Sequence, residues 1–150
     1  MAEMVDVGHK EIVPRSATAS GVIRLRRETV AAITAGKVEK GDVVQAAILA
    51  AIQGAKRVPG LIPLCHPLRL DSVKPEVTLG DDHVMVRCTV TARERTGVEM
   101  EALMAVTLGL LTVWDMVKAL EKDSDGQYPL TRIMDVRVEE KRVEHGDRGA

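Results

Sequence analysis

The chain has 150 residues, 21 basic and 22 acidic side chains and a formal net charge of −1. That length suits one domain over 1–150, able to bury roughly two thirds of its unfolded surface without a metal or disulfide to hold it. Balanced charge excludes a dominant phosphate-backbone footprint, and one Trp, one Tyr and no Phe exclude the base-stacking platform of single-strand nucleic-acid binders.

The opening Met1 to Asp6 has no basic segment leading into an apolar one, so it does not read as a secretory signal. Arg, Lys, Asp or Glu interrupts every apolar run before membrane-spanning length. Cys65 and Cys88 form no close-spaced pair and read as two free thiols of a reducing compartment. The expected location is the cytoplasm, with no membrane or nucleic-acid partner.

Residues 1–16 have weak periodicity and read as an arm ordered only by packing on something else. Ala17 to Arg26 is strand-like, and Arg27 to about Ala35 a short helix stopped by Gly36. Asp42 is placed to cap a second helix, Val43 to about Lys56, whose many alanines invite close packing, and Pro59-Gly60 ends it. The stretch Leu61-Ile62-Pro63-Leu64-Cys65-His66-Pro67-Leu68 follows. Its two prolines exclude a helix interior or central strand, leaving an apolar loop that is buried or pressed against a ligand. A hairpin is expected from Leu70 to Leu79 and His83 to Arg93, with Val84, Val86, Cys88 and Val90 alternating onto one face. Thr96 with Glu99 forms a capping-box signature for a long helix to about Lys122. Asp123 to Pro129 is a loop, Leu130 to Val143 a last strand, and 144–150 a polar tail expected to fray. With one helix set aside the order is β-α-β-β-α-β, an α+β ferredoxin-like pattern whose antiparallel sheet is covered by helices.

Chemistry concentrates on the long helix. Asp115 and Lys118 are three residues apart and share a face, which Lys122 joins. Glu101 precedes Asp115 by fourteen residues, close to four turns, and falls near the same angle, yet about 21 Å away along the axis. One compact substrate reaches both only if a second subunit contributes, which predicts an interfacial site in a homo-oligomer. On spacing alone Asp115, Lys118 and Lys122 read first as a solvated, salt-bridged face. His66 in the apolar loop can exchange a proton near neutral pH, although a lone histidine there is more often structural. Directly adjacent Cys65-His66 suits one metal poorly, and no second pair stands at finger spacing. Lys40-Gly41-Asp42 ahead of a helix suits a phosphate without being a P-loop, while Lys56-Arg57 at the far end of that helix can simply complement its dipole.

Lys40-Gly41-Asp42-Val43, Ala55-Lys56-Arg57, the Leu61 to Leu68 string, Thr96 to Leu103 and Asp115-Met116-Val117-Lys118-Ala119 occur in order, preceded by Met4-Val5-Asp6-Val7 and Arg15-Ser16-Ala17. Together they resemble the MoaC family of cyclic pyranopterin monophosphate synthases over about residues 4–123. The resemblance implies a ferredoxin-like fold with an added helix and a homohexamer, a trimer of dimers with its site at the dimer interface. It implies conversion of a cyclised dihydro-GTP to a pyranopterin with a cyclic phosphate, plus diphosphate. It implies Asp115 and Lys118 as the catalytic pair, Lys40 and His66 as further catalytic or phosphate-contacting groups, and Lys56 as a substrate-binding cation. Leu64, Cys65, His66, Glu99, Met100 and Glu101 are implied as substrate-lining residues. No cofactor is expected, and any Mg²⁺ would travel with the triphosphate, since the sequence offers no dedicated carboxylate cage. The family's Tyr before the aspartate and Cys after the Met are here Trp114 and Val117, and Ala51 stands where Gly is usual. Its lysine- and glycine-rich C-terminal segment has no counterpart in Arg137 to Arg142, where Lys141 is the candidate cation. The other readings of the pattern are a non-catalytic nucleotide-sensing module and an RNA-binding domain, the second lacking surface aromatics and a basic face.

Overall fold

A computed structural model describes residues 1–145. Four strands and four helices follow one another as β1 (Val13–Arg24), α1 (Arg27–Thr34), α2 (Val43–Lys56), α3 (Val58–Leu61), β2 (Ser72–Leu79), β3 (His83–Glu94), α4 (Glu99–Glu121) and β4 (Arg132–Val143). The strands form one antiparallel sheet in the order β2-β3-β1-β4, with α2 and α4 side by side on one face. This is the expected α+β, ferredoxin-like arrangement, α1 and the single turn of α3 being additions to it.

The core is built from small residues because the chain has almost no aromatics. Val84, Val86, Cys88, Val90 and Ala92 point inward from β3, opposite Ile23, Gly21, Ala19, Ala17 and Arg15 of β1. All of the β3 five are buried, as their alternation predicts. Gly21 lets α4 lie close to the sheet: a Cβ there would stand 2.8 Å from Leu110 and 2.9 Å from Val136. Between the helices a Cβ at Gly54 would stand 3.0 Å from the Met104 carbonyl oxygen, and one at Gly109 3.5 Å from that of Ala47. The alanine-rich α2 thus does what its composition predicts, bringing two backbones near contact so that dispersion replaces bulky side chains.

Local signals set several boundaries. Asp42 Oδ1 accepts from the Gln45 N–H at 3.0 Å and starts α2. Gly36, at φ 68°, follows α1 in the left-handed conformation. Other boundaries move. β1 begins at Val13, four residues ahead of the expected strand, because it is a central strand paired with β3 from Val13↔Glu94 onward; the arm is therefore 1–12. Pro59-Gly60 does not terminate α2, which ends at Lys56, but lies inside α3, where proline is tolerated in a first helical turn. Thr96 does not cap α4 either. The N-cap is Val98, with no side-chain hydrogen bond, and the Glu99 carboxylate folds back over Gly97 instead. In β4 two register shifts against β1 accompany Asp135 at φ 58°, the bulge geometry that aspartate tolerates better than most residues. The tail expected over 144–150 lies outside the described residues from 146 on; Glu144 N–H still donates to the Pro14 carbonyl at 2.9 Å.

By length and composition α4 is apolar enough to cross a membrane, although Glu101 and Asp115 interrupt its uncharged run as expected. It lies instead as a core helix, with Ala102, Ala105, Val106, Gly109, Leu110, Val113 and Val117 buried.

Candidate active site

The spacing of buried residues on α4 decides where its charged groups point. Glu101, Ala105, Gly109, Val113, Val117 and Glu121 are all buried at intervals of four. At about 100° per residue each step of four overshoots a full turn by about 40°, so the buried direction swings around the helix as α4 crosses the twisted sheet. Asp115 lies at nearly the angle of Glu101, but three and a half steps later that angle faces outward. Glu101 is 2% exposed and the Asp115 side chain 58%. The shared face expected from fourteen-residue spacing is thus one angle in two environments.

At the outward end, Asp115 lies between two ammonium groups. Lys118 Nζ is 3.1 Å from its Oδ1, as the i, i+3 spacing predicts, and Lys40 Nζ is 3.1 Å from its Oδ2. Lys40 also donates to the Asp115 carbonyl oxygen at 3.1 Å. It arrives from 75 residues away because Gly41, at φ 114°, turns the chain sharply between the lysine and the Asp42 cap. Hydrogen bonds from Lys118 and then Lys40 hold the Asp115 carboxyl below the usual carboxylate range. The third member of the cluster, Lys40, comes from the turn ahead of α2 and not from α4. The cluster keeps a net positive charge, since two ammoniums share one carboxylate. Trp114, beside Asp115, meets the Tyr128 ring edge-on at 5.2 Å, so the loop after α4 packs back against this end. Lys122 is exposed at the C-cap and outside the cluster.

The other end of α4 gathers the remaining candidates. A groove of about 470 Å³ runs between Leu64-Cys65-His66 and Glu99-Met100, with Val5, Val7 and Lys10 of the arm along it. The apolar loop is not buried: Leu61, Ile62 and Leu64 are exposed, as is Met100. Burial, and then the Glu101 and Glu99 charges, push the Cys65 thiol up, so it stays protonated. Cys88 is in the core, pushed to about 11 by burial, and the two thiols are free. Burial works against the charged form of Glu99, but Lys141 of β4, 2.8 Å away, outweighs it and holds the group below the usual range. Lys141 thus meets a lining residue despite the altered segment around it.

A second cleft at this end, about 480 Å³, is lined by Lys56, Arg69, Asp71 and Glu101. Among the described residues, neither Glu101 oxygen has a hydrogen-bond partner. Arg69 was not singled out in the sequence. Its place in a Leu-Arg-Leu triplet within the apolar loop region was the available signal, and its backbone N–H is held by Glu94 Oε1 at 2.9 Å. The structure therefore brings together Lys40, Asp115 and Lys118 at one end and Lys56, Leu64, Cys65, His66, Glu99, Met100 and Glu101 at the other. It does not bring the two sets together within one chain. Among the described residues no three His, Cys, Asp or Glu side chains converge as a metal site.

An acid flanked by two cations, a histidine-bearing groove and a cationic cleft fit an anionic substrate undergoing proton transfers. The family model described as the MoaC family matches residues 4–143. A Thermococcus kodakarensis protein described as a probable cyclic pyranopterin monophosphate synthase is 55% identical over 93% of this chain and 89% of its own length. An Aeropyrum pernix protein of the same description is 57% identical over 94% of this chain and 97% of its own. A Methanothermobacter thermautotrophicus protein, described as a probable cyclic pyranopterin monophosphate synthase accessory protein, is 53% identical over 92% of this chain and 87% of its own. The motifs, the fold and the matched length agree, and the chain belongs to the MoaC family.

Proposed function

We propose that this chain is a cyclic pyranopterin monophosphate synthase, a phosphorus–oxygen lyase of molybdenum-cofactor biosynthesis. It converts (8S)-3′,8-cyclo-7,8-dihydroguanosine 5′-triphosphate to cyclic pyranopterin monophosphate and diphosphate. The observation that carries the reading is the Lys40–Asp115–Lys118 cluster, whose members come from the turn before α2 and from α4 and meet at 3.1 Å in the expected motifs.

The chemistry follows from the groups present. The purine-derived ring opens and re-closes through proton transfers, for which His66 and the two lysines are suited. A sugar hydroxyl attacks the α-phosphorus, diphosphate leaves, and the ammonium groups stabilise the charge growing on it. Asp115, kept ionised by its neighbours, aligns both ammoniums. Lys56 and Arg69 face the anionic parts of the ligand. No resident cofactor takes part, and Mg²⁺ enters with the triphosphate.

The site is completed by a second copy of the chain. About four turns of α4 separate Asp115 from Glu101, roughly 21 Å, beyond the reach of one compact nucleotide. The exposed Leu61, Ile62, Leu64 and Met100 form an apolar surface of the kind a partner covers. The assembly in this reading is a homohexamer built as a trimer of dimers, working in the cytoplasm.

Incubating the protein with the cyclised nucleotide and following diphosphate and pyranopterin release tests the reaction. Release by wild type and not by Asp115→Asn supports it, whereas binding without release makes the protein a nucleotide-sensing module. Sedimentation as a monomer at micromolar concentration would remove the shared site.

A further inference from the structure

The Lys40–Asp115–Lys118 cluster is exposed, and exposed ion pairs hold little structure in place by themselves. Asp115 and Lys118 share one helix, so the helical period sets their spacing. Lys40 ends the segment 26–40, and something else must fix where that segment lies along α4. Val30, Ile33 and Val38 of the segment pack into the core. Such contacts are non-directional, so they set its depth and not its register. Directional contacts stand at Glu121, 1% exposed in the last turn of α4. Its Oε2 accepts from the Thr29 hydroxyl and from the Arg26 backbone N–H at 3.1 Å, and its Oε1 from the Thr131 hydroxyl at 2.7 Å. The Arg26 guanidinium donates to the Glu121 carbonyl oxygen at 3.4 Å. Helix ends fray where their last carbonyls lack partners, and this end carries Lys118 about one turn earlier.

Two segments leave this anchor, and both come back to Asp115. The segment 26–40 returns through Lys40, whose Nζ is 3.1 Å from Asp115 Oδ2. The segment 122–131 returns through Tyr128, whose ring is 5.2 Å from that of Trp114, the neighbour of Asp115. Along α4 the anchor and the cluster are roughly 9 Å apart at about 1.5 Å per residue. Glu121, Thr29 and Thr131 are buried within one chain, so these bonds are the same in any assembly. We propose that Glu121 is a positioning residue: by fastening the start of α1 and the approach to β4 to the last turn of α4, it sets the place of Lys40 against Asp115. This inference rests on the proposed function and adds to it the source of the cluster's geometry. Without the carboxylate both segments lose their common anchor, and an exposed ion pair is too weak to restore the register. The reaction then loses alignment in its transition state, which lowers kcat and leaves KM nearly unchanged.

The test is turnover of the cyclised nucleotide by the full-length protein carrying Glu121→Ala, Glu121→Gln, Thr29→Val, Lys40→Ala, or Lys40→Ala combined with Glu121→Ala. Glu121→Ala should lower kcat about ten-fold or more, with KM within about two-fold of wild type. Glutamine keeps the shape and one acceptor oxygen, and the Thr131 hydroxyl can turn to accept from its amide, so Glu121→Gln should retain most of the activity. Thr29→Val removes one donor at nearly constant volume and should fall between the two. Lys40→Ala should cost less than about two-fold more on the Glu121→Ala background, because Lys40 has already lost its place there. The acid limb of kcat should move upward in Glu121→Ala as in Lys40→Ala, since Lys118 and then Lys40 hold the Asp115 carboxyl down and Lys118 alone would remain. Near-UV circular dichroism of the single Trp, which meets the single Tyr, should change in Glu121→Ala and not in Lys40→Ala. If the alanine variant does not fold, the limb and the coupling to Lys40→Ala are read in Thr29→Val. A merely structural glutamate would lower the folded fraction, leave the acid limb in place and let Lys40→Ala act with its full effect. An unmoved limb in folded protein, or losses that multiply independently, overturns the proposal. Turnover by wild type with Glu121→Ala unchanged removes this inference alone, whereas no turnover by wild type removes the function and this inference with it.

Discussion

Glu101 and Glu121 sit near opposite ends of α4, both at most 2% exposed, and their surroundings differ in every respect. Glu121 is saturated with donors: the Thr29 hydroxyl, the Thr131 hydroxyl at 2.7 Å and the Arg26 backbone N–H at 3.1 Å. It ties the end of α4 to the start of α1 and the approach to β4. Glu101 has no donor and faces a cleft. A buried carboxylate with several hydrogen bonds is a structural fastening, whereas one with none is a cost that the fold tolerates only where something else completes it. Between them, exposed Asp115 with its two lysines shows a third arrangement, in which water removes most of the cost and the pairing fixes orientation more than stability.

Asp115→Asn should give the largest effect, a fall in turnover of about 100-fold or more if the carboxylate aligns both lysines. Its Tm should barely move, because the group is solvent-exposed. Co-assembling that variant with His66→Ala subunits should restore part of the activity, since one mixed interface would carry both intact halves. No recovery in verified mixed assemblies would break the division of the site between chains. Glu121→Ala should cost about 3 kcal/mol in denaturant unfolding, because it leaves the Thr29, Thr131 and Arg26 donors buried without an acceptor. A change below about 1 kcal/mol would show that water replaces the carboxylate.

Glu101→Gln should behave oppositely. The folded-state pKa of Glu101 is raised, so its protonated form supports the fold fully below the unfolded carboxylate pKa and that support is lost as pH rises through the folded value. The variant should therefore gain in Tm over wild type as pH increases. A gap independent of pH would remove the contrast between the two glutamates. For Asp115 the sign is reversed: its lowered pKa means the charged form persists as pH falls, so the acid limb of kcat should lie below the ordinary carboxylate range. Lys40→Ala should move that limb upward, a smaller effect than losing the carboxylate itself. The smallest expected change is Gly54→Ala, about 1–2 kcal/mol, from the contact its Cβ would make with the Met104 carbonyl.

What the sequence determined by itself was local. The alternation of Val84 to Val90, the Asp42 cap, the Gly36 stop and the Asp115–Lys118 spacing depend on strand period, helix period and hydrogen bonds a few residues long, and each is legible from the order of residue types. The motif strings carried the family. The approach of Lys40 to Asp115 was not legible, because it spans 75 residues and depends on α2 and α4 lying together. Nor was the burial of Glu101 beside the exposure of Asp115. A helical wheel assumes one inward direction, and a long helix over a twisted sheet has a direction that rotates along its length. The start of α4 also escaped, since Glu99 pairs with Lys141 of a strand more than forty residues later and does not close a capping box. Only the tertiary structure decides such contacts, because they are settled by which surfaces are left to meet after the local elements have formed.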